Sequence, residues 1–72
     1  MSIANQMRTY LAEVKEADML IDEKTHKMLG CVENDDDVML NNHKYMKDIL
    51  ISFRNERMNM LSKLSHEAWD EL

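Results

Sequence analysis

No proline interrupts this 72-residue chain, and Gly30 is its only glycine. Proline breaks a helix interior by removing a backbone donor, and glycine supplies the unusual backbone angles of turns. A chain almost free of both has little means of building the many turns of a sheet or barrel, and long helices remain. Its length allows one domain near the lower size limit for independent folding. The expected fold is therefore all-α, a single antiparallel two-helix hairpin spanning residues 1–72. Two helices each bury one stripe against the other and cannot enclose a core alone. Completion as a four-helix bundle is expected, either by dimerisation or by a partner protein.

The first helix is expected over about residues 2–29. Ser2 suits its N-cap, where a hydroxyl accepts from the orphan amides of the first turn. Ile3, Met7, Tyr10, Val14, Ala17, Ile21 and Met28 recur at alternating spacings of three and four, a heptad seam. Lys24 and Thr25 interrupt it. Gly30 then reads as the residue that closes the helix in the left-handed conformation. The acidic turn, residues 30–36, offers Asn34, Asp35 and Asp36 as caps for the second helix. It lacks the alternating oxygen ligands, glycine and distal glutamate of a calcium loop.

The second helix is expected over about residues 37–70, with a main stripe of Met39, Met46, Ile49, Leu50, Phe53, Met60, Leu61, Leu64 and Ala68. A turn centred near Glu33 pairs Met28 with Met39, Ile21 with Met46, Val14 with Phe53, Met7 with Met60 and Ile3 with Leu64. The expected hairpin core is thus Ile3, Met7, Val14, Ile21, Met28, Met39, Met46, Leu50, Phe53, Met60 and Leu64. Arg57 falls within the same arc, opposite Tyr10 and one turn from Glu13. Its stem can lie on apolar surface while its head stacks on the ring or pairs with the carboxylate.

Leu40, Ile51, Met58 and Trp69 project roughly opposite the main stripe, flanked by Lys44, Lys47, Arg54 and Ser65. An apolar line with a basic margin is a footprint of a protein contact, foreign or homodimeric. The segment "EAWDEL" overhangs the expected hairpin, and tryptophan is enriched among binding hot spots. The expected partner-binding residues are Leu40, Lys47, Ile51, Arg54, Met58, Trp69 and Leu72.

Chemistry is poorly represented. Glu23 and His26 have the spacing of di-iron carboxylate helices, but both project away from the seam and no carboxylate on the second helix answers them. "SHEAWDEL" lacks the second histidine of a zinc protease helix. His43 reads as a packing residue. Cys31, the single cysteine, cannot form an internal disulfide, and nothing in its acidic surroundings marks it as a nucleophile. No catalytic, metal or cofactor site is expected. The chain has a net charge of −5, with acids gathered at the turn and the tail, which disfavours non-specific nucleic-acid binding. No apolar run approaches the roughly 20 residues of a membrane span, and a cytoplasmic protein is expected.

These features point to a small non-catalytic protein-binding module, an adaptor, co-chaperone or regulator, acting through a helix face. Two alternatives remain at this stage. One is a dimeric hairpin that grips nucleic acid through Lys44, Lys47 and Arg54. The other is an acidic inhibitor that imitates DNA.

Overall fold

In the computed structural model, which describes residues 2–70, helices α1 (Ile3–Glu33) and α2 (Asp37–Asp70) lie side by side as an antiparallel hairpin. The molecule measures 55 × 16 × 14 Å, so its length is that of one helix and its other dimensions are those of a helix pair. Ser2 caps α1, its hydroxyl accepting from the Asn5 N–H at 3.2 Å.

The turn differs from the sequence expectation. Gly30 does not end α1. The helix continues through it to Glu33, and the left-handed residue is Asp35, with φ 54°. The Asp36 N–H donates to the Cys31 carbonyl at 2.9 Å, and the Asp35 N–H donates to the Val32 carbonyl at 3.3 Å. This nested pair is the Schellman closure, with aspartate where glycine is usual. Asp36 then begins the next helix, its carboxylate accepting from the Met39 N–H at 3.2 Å. One residue thus closes α1 and caps α2. Aspartate tolerates the left-handed region better than most side chains, which is why the turn can form beyond the glycine.

Gly30 is consequently a mid-helix glycine, and a Cβ built there meets nothing within 4 Å. Moving the glycine to where the backbone needs it should stabilise the hairpin. Gly30→Ala and Asp35→Gly are each expected to add about 0.5–1 kcal/mol to the unfolding free energy. Thermal melts followed by circular dichroism check this, and a lower midpoint for either variant would contradict the turn described.

Val14, 8% exposed, and Ala17, 2% exposed, are the buried hydrophobic residues among those described. Ile3, Met7, Tyr10, Ile21, Lys24, Met28 and Cys31 continue their line along α1 and are half-buried. On α2 the half-buried heptad line is Leu40, His43, Lys47, Leu50, Arg54, Arg57, Leu61, Leu64 and Ala68, with Ile51, Phe53 and Met60 beside it. Two expected core residues lie outside this seam. Met39 and Met46 are 42% and 46% exposed, and Ile49 is turned out with them.

The reason is a slide of register coupled to a rotation. Because α1 runs past Gly30, the turn centres on Asp35, and facing residues shift by about one helical turn. Ala17 and Leu20 accordingly share a groove with Leu50 and Phe53, and Tyr10 shares one with Met60 and Leu64. The rotation brings Arg54 towards α1 beside Arg57, and Asp18 and Glu13 receive the two at 3.1 and 2.8 Å. Their long stems cover apolar surface in the seam while their heads reach its margins.

Candidate protein-docking surface

A pair of helices leaves two long edges open, and in this hairpin the edges differ. The first carries Leu20 from α1 and Met39, Met46, Ile49, Phe53 and Met60 from α2. Three shallow grooves follow one another along it. The central one is lined by Glu13, Glu16, Ala17, Leu20, Leu50 and Phe53. Towards the turn, Leu20, Glu23, Lys24, Met46, Ile49 and Leu50 line the next. Towards the open end, Tyr10, Met60, Lys63 and Leu64 contribute to the third.

Two carboxylates on this rim, Glu13 and Glu23, are answered within the chain. Arg57 sits 4.8 Å from the Phe53 ring centroid and 5.6 Å from that of Tyr10. One of its Nη donors reaches the Met60 sulfur at 3.3 Å. Its Nε approaches Glu13 at 2.8 Å, off the N–H axis, so that contact is a charge attraction and not a directed hydrogen bond. Glu23 pairs with Lys27 one turn on at 2.9 Å, the favourable orientation for an i,i+4 pair. The hydrogen bond and charge of Lys27 hold the Glu23 carboxyl below the usual carboxylate range. A lowered carboxylate stabilises only while ionised, so whatever this exposed pair contributes is present at neutral pH and lost on acidification.

The second edge is more broken. Leu11 and Met58 are exposed beside half-buried Ile51, and the Asp18–Arg54 ion pair interrupts the apolar surface. Arg54 also donates to the Asn55 side-chain oxygen at 3.4 Å. Towards the turn, Leu29 and Val32 form a small groove with Met28 and Leu40. At the far end Trp69 is 76% exposed, past the level at which α1 begins.

The expected partner-binding set is therefore divided. Met58 and Trp69 present their side chains to solvent. Leu40, Lys47, Ile51 and Arg54 are half-buried along α1, because the rotation of α2 turned their face inward. Leu72 lies outside the described residues. Leu11 and Leu20, which were not singled out from sequence, flank the two open edges. Their signal was an apolar residue immediately beside the α1 heptad seam.

Among the described residues no group of three histidine, cysteine or acidic side chains could hold a metal ion. Glu23 is engaged by Lys27, and His26 Nδ1 lies 2.8 Å from the Asp22 carbonyl, so the two do not converge. His43 points a covered Nδ1 into the seam without a protein partner. Such a nitrogen costs desolvation without return. His43→Leu is expected to stabilise the hairpin by about 1 kcal/mol, measured by urea unfolding, and a loss of stability would show that the imidazole is satisfied after all.

Among the described residues no helix is long and apolar enough to cross a membrane, so a membrane span does not explain the exposed apolar side chains. Comparison of the chain with models of known families, with curated proteins and with solved structures returns no match, and the functional reading rests on the residues themselves.

Proposed function

We propose that this hairpin is a small non-catalytic protein-binding module, an adaptor or regulator of a larger protein, docking through the edge that carries Met58 and Trp69. The observation that supports this reading most directly is Trp69, three-quarters exposed on the last turn of α2, on the same side as Leu11 and Met58. A rigid aromatic anchor beside flexible thioether and leucine side chains is the composition of a binding hot spot. The hairpin holds these anchors in fixed register, which lowers the entropy lost on docking. A cytoplasmic setting suits the free thiol of Cys31.

Grip on nucleic acid is less well supported. Of Lys44, Lys47 and Arg54, which would have to face phosphates, Arg54 is engaged by Asp18 and Lys47 is half-buried along α1. A DNA-mimic surface would need acids along one continuous face, whereas three consecutive aspartates are spent at the turn.

The test places a photo-crosslinking residue at position 58 and irradiates the protein in its native host. A single adduct to one larger protein is expected. With that protein purified, Trp69→Ala combined with Met58→Asp should weaken binding about 30-fold or more. Adducts only to a second copy of the chain, or unchanged affinity of the double variant, would overturn the reading.

A further inference from the structure

The hairpin exposes more surface than a chain of its size should. Its accessible surface is 5578 Å² at 8.5 kDa. A compact monomer of that mass exposes about 4,700 Å², leaving an excess of about 900 Å². Each partner in a stable protein–protein contact gives up about 800 Å². One ordinary interface would therefore remove the excess, and with only Val14 and Ala17 buried among the described residues the hairpin has little else to hold it together.

The first edge is the surface on which such a contact fits. Leu20, Met46, Ile49 and Phe53 run along it, and Leu20, Met46 and Ile49 are more than a third exposed. Glu13 and Glu23 on its rim are answered by Arg57 and Lys27, which leaves Glu16 and Lys24, one charge of each sign, so the edge does not select a partner of one net charge. Its middle, at Ala17 and Phe53, coincides with the middle of both helices. A two-fold axis through that level lays the apolar strip on its own copy, as an isologous contact requires.

We infer that a second copy of this chain covers the Leu20–Phe53 edge and closes a four-helix bundle. The contact uses the edge opposite Met58 and Trp69, so the dimer stands independently of the docking function and leaves that edge free. Apolar side chains turned out of the hairpin become the bundle interior, packed as facing helix pairs at a small crossing angle.

Sedimentation velocity of the wild-type protein is expected to give twice the 8.5 kDa chain mass. In a mixture of isotope-labelled and unlabelled chains, intermolecular NOEs are expected between Leu20, Met46 or Ile49 methyls and Phe53 of the other copy. Ile49→Asp should raise the dimer dissociation constant at least tenfold, and Met58→Asp should leave it unchanged. A monomer at NMR concentrations, or intermolecular NOEs that instead join Leu11 and Met58, overturns the inference. The wild-type NOEs decide the matter even if the Ile49 variant fails to fold. A monomer that still crosslinks through position 58 would sink the dimer while leaving the docking function intact.

Discussion

With aspartate in place of Ala17, the chain is expected to lose its cooperative thermal transition and most of its helical circular dichroism at neutral pH. Ala17 is 2% exposed and lies where α1 meets Leu50 and Phe53. A carboxylate there has no cation of its own, because Arg54 and Arg57 are engaged by Asp18 and Glu13, and burying one unpaired costs several kcal/mol. A core of this size supplies only about 3–5 kcal/mol of net stability, so the penalty exceeds what the fold can absorb. Ala12, exposed on the same helix, provides the control. Ala12→Asp should change stability by no more than about 0.5 kcal/mol. Equal melting of the two variants would mean that α1 does not present Ala17 to α2.

Arg57→Ala has the next largest expected effect, a loss of about 2 kcal/mol, made up of cation–ring contact, ion pairing and stem packing. Its rings are Phe53 and Tyr10, its carboxylate is Glu13, and both members of the ion pair are mostly covered. For a domain this small, the melting midpoint should fall by roughly 10 °C. Glu13→Gln alone should cost less, because the ring contacts survive. Arg57→Met with Glu13→Gln should come within about 1 kcal/mol of the original, since replacing both partners leaves no stranded charge. If the double variant is as unstable as Arg57→Ala, the arginine has a partner beyond these three residues.

The absence of proline and the α1 heptad line made the hairpin legible in the sequence. So did the meeting of Arg57 with Tyr10 and Glu13, because a long side chain near an aromatic and an acid has few better places to go. The rotational phase of α2 was not legible, and the cause is specific. Apolar residues occupy three adjacent lines on that helix: Met39, Met46, Phe53 and Met60 on one, Leu40 and Leu61 on the next, Ile51 and Met58 on the third. Periodicity alone cannot choose among them. Two ion pairs across the seam, Asp18 with Arg54 and Glu13 with Arg57, select the middle line.

The register was hidden by Gly30. Reading glycine as the end of α1 placed the turn too early, whereas the backbone reverses at a left-handed aspartate beyond it. Trp69 stood out in the sequence because tryptophan is rare, and it is exposed in the structure. Leu20 and Ile49 did not stand out as surface, because their exposure follows from the phase of α2 and the phase was the missing quantity.

The shared role of Asp36 bears on how fast the chain folds. Closing three residues, 34–36, brings the ends of α1 and α2 together with little loop entropy to overcome. Contacts near the turn are local in sequence, while those between Ile3 and the end of α2 span nearly the whole chain. Folding should therefore begin at the turn and zip towards the open end. Substitutions at Asp36 would then slow folding, whereas substitutions near Tyr10 and Leu64 would speed unfolding. Trp69, beside the last contacts to form, is placed to report by its fluorescence when the zip is complete.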